Sequence, residues 1–526
     1  MRAFDLTISQ PFRRGLNPEQ DTPINGDFLS ICRNVRVEQT GLHIPRDITM
    51  PFTGGAIPTF NFPFPQVFRG KDLHYLCFDQ SVESVDSNWT RTEQLGNLTI
   101  VGGGGVWDFA DFYDVVFFCN QSNIVYRTRR SSLLGGADTF ADETFFTAHT
   151  CCAHNGRLVF GRLDSSGFWD TAINTFFQTW LSKMSIPFGT TEQTLVNYVW
   201  WSSIGLGDVE MMFDKDLAVS GVLSAYDSKA SIDRPVFFEF LRRNESGMAP
   251  MTFRRNVMAV KPLGPIHIVV YGEDGISLMT AYKEPYPTYG ITHVSDVGIA
   301  QKGAVCGDDN RHFFLDNDGE LWTIGTDFIP QRIGYKDDLT DALDETIIAS
   351  WDGKHKTAYF AWGTGGVTTN GAMITENGLS MLDHSKWRPT SGFYSEGAFV
   401  GIADATDETD LSMVASTETI VLGPGLQTIL FARPEGILNE AEADIHVDTW
   451  YRKRSDDSWG TTGYKDLDAE GVAHPRATGH EFQFHIQVVA PGTATVLQGV
   501  TITYQTIDKR YRRGIDVTRA DARAGS

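Results

Sequence analysis

Serial β-hairpins predict an all-β fold for this chain: a β-propeller, with an extended N-terminal arm and a small C-terminal β-sandwich-like domain. Three observations carry the prediction. The first is the stretch RHFFLDNDGELWTIG from Arg311 to Gly325, an apolar strand, a polar turn and a second apolar strand. The second is its recurrence. IHIVVYGEDGISLMTAY turns at Asp274 and Gly275, DVVFFCNQSNIVYRTR turns between Asn120 and Asn123, and CCAHNGRLVFGRL turns at Asn155 and Gly156. Asp-Gly and Asn-Gly tolerate the positive φ angles of tight hairpins. The third is composition: 51 glycines and 12% aromatic residues suit tight turns and pleated strands.

Taken in order, residues 1–60 are polar and turn-rich and read as an arm with its first strands. Residues 61–430 carry the hairpins HYLCFD, VVFFCN, RLVFGRL, NYVWWSS, FFEFLRR, IHIVVYG, RHFFLDN, TAYFAWG and TIVLGPG. A pair of hairpins recurs roughly every 35 to 50 residues, the period of propeller blades, which leaves the blade count at roughly five to eight. Residues 431–526 hold DIHVDTWYRK, HEFQFHIQVVA and LQGVTITYQTID, a separate β domain that ends in a basic tail. Helix is sparse. TEQTLVNYV at 191–199 is a weak helical candidate, and TDALDETIIAS at 340–350 reads as a short turn or strand entry.

A formal net charge of −22 disfavours general nucleic-acid binding, because phosphate contact needs a positive face. An acidic surface also suits a conduit through which DNA passes without sticking. The start of the chain lacks the apolar core of a secretory signal, and no run of about 18 apolar residues appears, so membrane insertion is not expected. Cys32, Cys77, Cys119, Cys151, Cys152 and Cys306 lie inside apolar strand patterns and read as buried hydrophobes made in a reducing cytoplasm. On that route the sequons at Asn88, Asn97, Asn120 and Asn244 carry no meaning.

Candidate chemistry is thin. His149, Cys151, Cys152 and His154 cluster, but on a strand 149 and 151 face one side while 152 and 154 face the other, so one tetrahedral ion cannot gather all four. Asp316-Asn-Asp318-Gly319 opens like a calcium loop and lacks the later bidentate glutamate. No G-x-S-x-G and no sialidase-type box is present, SDDSWGTT at 455–462 being a poor approximation. VGGGG at 101–105 lacks the lysine and the helix of a phosphate loop. The reading is therefore of a chain that is not an enzyme, with no metal and no cofactor. Short basic clusters, among them Arg510, Arg512 and Arg513, suit salt bridges or docking.

Two sets of segments carry a family resemblance. The first is Gly15-Leu16-Asn17 followed by NGDFLSICRNVRVEQTGLHIPRD at 25–47, in which Asn34, Val35, Gly41, Leu42 and Arg46 match the pattern. The second is the order of AHNGRLVFGRL (153–163), VWWSSIGLGD (199–208), GIAQKGAVCGDDNRHFFLDNDGELWTIG (298–325), TAYFAW (357–362) and SMLDHSKWRP (380–389). Together they resemble the tail nozzle or hub proteins of short-tailed bacteriophages, the packaged-DNA stabilisation and tail tubular B group. Trp322 stands where that family usually has Tyr. The resemblance implies a homo-hexameric, mainly β-propeller ring in the virion tail, assembled in the bacterial host cytoplasm. Such a ring sits below the portal and the head-to-tail adaptor, continues the DNA channel without specific binding, helps retain packaged DNA, and anchors tail fibre, spike or needle proteins. It also makes Asn34, Val35, Gly41, Leu42, Arg46, Arg510, Arg512 and Arg513 candidates for assembly or docking. Other readings are a carbohydrate-active propeller of sialidase or depolymerase type, which needs paired carboxylates roughly 5 to 9.5 Å apart, and a cellular ligand-binding propeller.

Overall fold

The computed structural model describes residues 3–18, 28–43, 48–49, 66–70, 73–78, 82–86, 88–95, 106–112, 115–120, 124–129, 142–164, 195–201, 247–282, 288–364, 367–382, 389–395, 398–403, 412–423, 425–438, 444–489 and 495–507. Among them the fold is all-β, apart from a helical turn at Lys336–Leu339 and short 3-10 segments such as Thr340–Asp344. The chain forms two compact units that do not follow chain order. One gathers residues 1–48, 370–388 and 404–526, and the other 49–369 and 389–403.

The larger unit is a succession of antiparallel meanders. Blade 1 comprises Gln66–Arg69, His74–Cys77, Val82–Val85 and Arg91–Leu95. Blades 2 and 3 share one long strand, Asp142–His154. Its first half pairs with Ile124–Arg129, beyond Asp108–Phe112 and Val115–Cys119. Its second half pairs with Arg157–Asp164, followed by Leu195–Trp201 and Gly247–Pro250. Blade 4 is Val257–Pro262, His267–Gly272, Ile276–Tyr282 and Thr288–Ser295. Blade 5 is Val305–Gly307, Arg311–Leu315, Leu321–Gly325 and Gln331–Gly334, so the opening hairpin of the sequence forms its centre. Thr346–Asp352 with Thr357–Thr364, and Pro389–Ser395 with Ala398–Ala403, begin two further blades.

Each meander buries one face on the next, as a propeller requires. Blades 1 and 2 share Tyr75, Cys77, Val82, Trp107, Val116 and Phe118. Blades 3 and 4 share Val159, Val199, Trp201, Val257, Val260 and Met279, and blades 4 and 5 share Ala259, Val269, Tyr271, Val305 and Phe314. Each such side chain contributes about 1.5–3 kcal/mol when fully buried. Pro389–Ser395 packs on both Thr346–Asp352 and Gln66–Arg69, which closes the circle from the last blade to the first.

The turns are set by short polar side chains. Asn155 and Gly156 take φ of 51° and 72°, the tight hairpin their sequence predicts. Gly275 is not left-handed; there Gly272 N–H bonds to Gly275 O at 2.8 Å and Asp274 caps the Arg255 amide at 2.9 Å. One local expectation changes and another holds. Within 191–199 the described part belongs to the strand Leu195–Trp201, because β-branched and aromatic residues dominate it. Within 340–350, a 3-10 turn at Thr340–Asp344 precedes the strand Thr346–Asp352.

The smaller unit contains antiparallel ladders. In one, Val496–Thr506 lies between Gln427–Ile437 on one side and both Ala3–Ile8 and Gly41–His43 on the other. In the second, Leu29–Arg33, Met413–Thr417, Glu481–Val489 and Asp444–Arg452 lie side by side. The N-terminal arm is thus strand for strand part of the sheets formed by the C-terminal segments.

Candidate assembly and polar sites

The most unusual feature of the propeller unit is a charged node buried among its first strands. Asp108 begins blade 2, Lys261 lies on the first strand of blade 4, and Lys302 precedes blade 5. Asp108 Oδ1 accepts from Lys261 Nζ at 2.8 Å, and Oδ2 accepts from Thr150 Oγ1 at 2.5 Å. Thr150 Oγ1 in turn accepts from Val260 N at 3.1 Å, linking blades 3 and 4. The Lys302 side chain is completely inaccessible; its ammonium lies 3.7 Å from Asp108 Oδ2 and donates to the carbonyls of Cys119, at 3.2 Å, and His149.

One carboxylate therefore serves two ammoniums, and the geometry decides between them. Burial lowers the Lys302 pKa, with Asp108 acting in the opposite direction. Burial also lowers that of Lys261, yet the closer Asp108 contact wins and the net shift is upward. Lys261 keeps 30% of its side chain accessible, so its desolvation is partial. The arrangement is a mechanical weld. It joins the starts of blades 2, 3, 4 and 5 through groups that lose far more by separating than by staying.

The cysteine–histidine cluster surrounds this node and is inert. Burial raises the thiols of Cys77, Cys119, Cys152 and Cys306, so they stay protonated; in the smaller unit burial likewise pushes Cys32 up to about 12. Burial likewise lowers His149 and His154, keeping both neutral. Among the described residues no three His, Cys, Asp or Glu converge as metal ligands.

Asp316 is fully employed as a turn former. Its Oδ1 accepts from the amides of Asp318 at 2.8 Å and Glu320 at 2.9 Å, and Oδ2 accepts from Trp322 Nε1 at 2.7 Å. Glu320 is committed to a bidentate pair with Arg332. Asp308 caps Asn310 and Arg311 in the same way. Asp316, the first residue of the supposed calcium loop, thus spends its oxygens on two backbone amides and an indole.

A serine–histidine–aspartate constellation in the smaller unit was not visible in the sequence. Ser416 Oγ lies 3.3 Å from His485 Nε2, and Asp448 faces His485 across the ladder. It is a polar knot in the core. Asp448 accepts from Trp450 Nε1 at 2.8 Å and from the hydroxyls of Thr461 and Thr462, while Ser416 is wholly buried beside Ser30 and Thr417. Burial lowers the His485 pKa, and no substrate can reach the hydroxyl.

The assembly candidates are placed as follows. Asn34 takes φ 56°, donates its side-chain amide to Ser412 O at 3.0 Å and its backbone N–H to Met381 O at 2.9 Å. Val35 and Leu42 are wholly buried, and the Val35 amide donates to Ser380 Oγ at 3.3 Å. Gly41 takes φ 135°, and a Cβ there would lie 2.7 Å from Leu497 O. These four hold the smaller unit together from within. Arg46, Arg510, Arg512 and Arg513 lie outside the described residues, as do the VGGGG segment, the FFEFLRR hairpin and the sequons at Asn97 and Asn244.

No family model and no curated protein matches the chain. Among solved structures it is similar to the β-propeller domain of Myceliophteria thermophila Cps50 (Swd1), at 8% identity and a TM-score of 0.33, covering 69% of this chain and 94% of that one. A likeness this slight has no bearing on function.

Proposed function

We propose that the chain is a structural virion protein, the tail nozzle or hub of a short-tailed bacteriophage. In this reading six copies form a ring below the portal and adaptor. The ring continues the DNA channel, helps retain packaged DNA, and anchors fibres, spikes or a needle. The observation that carries the proposal is a hydrogen-bonded junction between two segments quoted for the resemblance. Asn34 and Val35, from the first segment, bond to Met381 and Ser380, from the last, across some 345 residues of chain. Segments far apart along the chain thus meet in space, with Asn34 in the left-handed region that its residue type tolerates.

The charge supports the same reading. At −22 the molecule repels DNA over the Debye length of about 10 Å at 0.1 M salt, which suits a conduit and not a clamp. The buried weld supports it too, since a ring part under internal pressure needs rigid blades more than it needs a pocket. Electron microscopy of the purified chain, alone and mixed with its adaptor, tests the proposal. Six-fold rings with a central bore are expected. A chain that stays monomeric with adaptor and cleaves polysaccharide would instead establish the carbohydrate-active reading.

A further inference from the structure

The strand Ala3–Ile8 of the smaller unit has one filled edge and one open edge. It pairs with Val496–Thr506 at six consecutive positions, from Ala3 with Gln505 to Ile8 with Val500, without a bulge. Among the described residues no strand pairs with its other edge. Ala3, Phe4, Asp5, Leu6 and Thr7 are all exposed, and only Ile8 is buried. Along such a strand every second residue points its amide and carbonyl away from the existing partner. Natural sheets blunt an edge of this kind with a lysine, a proline, a bulge or a covering loop. AFDLTI has none of the first three, and its exposure excludes the fourth.

The two faces of this strand differ in chemistry. Phe4 and Leu6 share one face, opposite Tyr504 and Ile502. They stay 44% and 40% accessible, although the Phe4 ring lies against Tyr504 with centroids 5.8 Å apart. Asp5 and Thr7 share the other face, opposite Thr503 and Thr501. That second face opens on a cleft of about 280 Å³ whose lining includes Asp5, Phe431, Arg433, Asp468, Glu470 and His474. Thr503 donates to Asp5 at 2.6 Å and His474 pairs with Asp468 at 2.7 Å, which fixes both carboxylates in place. Three carboxylates against one guanidinium leave the cleft acidic.

We propose that this edge takes an added β-strand from a partner protein, an extended segment in which basic and apolar residues alternate. The backbone supplies the docking bonds, and the two faces choose the sequence. Side chains of the added strand on the Asp5 face stand about 5 Å from it, so a lysine or arginine there meets Asp5 directly. Asp468 and Glu470, farther across the cleft, keep the potential negative within the Debye length of about 10 Å. Side chains on the opposite face cover Phe4 and Leu6. Charge decides the occupant. An acidic segment meets like charge at Asp5, and a second copy of AFDLTI brings one more carboxylate and no cation. A single copy of the chain suffices, so the docking site stands or falls independently of the ring.

Hydrogen exchange of the full chain, read by mass spectrometry over residues 3–8, tests the docking with a capped hexapeptide of alternating lysine and valine. Fluorescence anisotropy of the labelled peptide gives its Kd. At about ten times that concentration the peptide should slow exchange of the outward amides about tenfold. Asp5→Asn keeps the shape of the side chain and should weaken the peptide about threefold, a difference that about 0.5 M salt removes. Two altered peptides leave the protein untouched. One N-methylated at every residue keeps its charges but loses every backbone donor, and should give no protection. One with glutamate in place of lysine should bind about tenfold more weakly. Equal binding by either altered peptide, or unchanged exchange over 3–8 at saturating peptide, would overturn the proposal. Exchange that slows as the chain alone is concentrated would assign the edge to a second copy and overturn it too.

Discussion

Replacing Asp108 with Asn removes one charge from the buried node and leaves its shape nearly unchanged. The fully inaccessible Lys302 then has no counter-ion within the node, and Lys261 keeps only a neutral acceptor at its 2.8 Å contact. Breaking one side of a buried ion pair costs about 3–5 kcal/mol, and the zero accessibility of Lys302 puts this case in that range. The penalty depends on pH in a defined direction. Burial already lowers the Lys302 pKa, and losing Asp108 lowers it further, while the unfolded lysine stays protonated up to about 10.5. Between those values the unfolded chain binds the extra proton, so the variant gains stability as pH rises. Denaturant unfolding at pH 7 and pH 10, with hydrogen exchange around Cys119 and His149, measures both effects. Adding Lys302→Met to the variant should recover part of the loss, a coupling of about 0.5–3 kcal/mol. A single variant within about 0.5 kcal/mol of the parent at pH 7, or a strictly additive double variant, would refute the weld.

The remaining predictions concern the turns, the seam between blades 4 and 5, and the arm. His312 accepts from Tyr271 Oη at 2.8 Å and donates to Pro262 O at 2.8 Å, and burial pushes it down to about 4. Its neutral form therefore supports folding fully above pH 6.5, and this support drains as pH falls towards 4, by about 3 kcal/mol in all; in a series of unfolding curves His312→Gln should flatten that slope. Asp316→Ala removes the acceptor of two amides and an indole and should cost about 2–3 kcal/mol, whereas Asp316→Asn keeps part of the turn and loses less. Thermal unfolding of both should not respond to added calcium. Gly41→Ala forces a Cβ to within 2.7 Å of Leu497 O at φ 135° and should cost about 1–3 kcal/mol, read as a lower melting temperature.

The hairpins were legible because their turns are local chemistry. Asn155 and Gly156 dictate a left-handed pair, and Asp316 its own capped turn, whatever lies elsewhere in the chain. The all-β, propeller character followed from the same signals. The sharing of Asp142–His154 between blades 2 and 3 did not, because one long strand and two short ones have the same alternation. The charged node was equally hidden. Asp108, Lys261 and Lys302 are separated by some 150 residues and then about 40, and nothing in a single sequence pairs them. The arm showed strand character but not its partner, since register with Val496–Thr506 is set by contacts nearly 500 residues away. The Asn34 and Gly41 positions stood out for their residue types, and the structure supplies the backbone reason.

Symmetry of the assembled protein tests the central proposal most directly. Electron micrographs of the purified chain with its adaptor, averaged without imposed symmetry, should show a six-fold ring around an open bore. A population of single propellers under the same conditions, with no ring at any protein concentration, would contradict it.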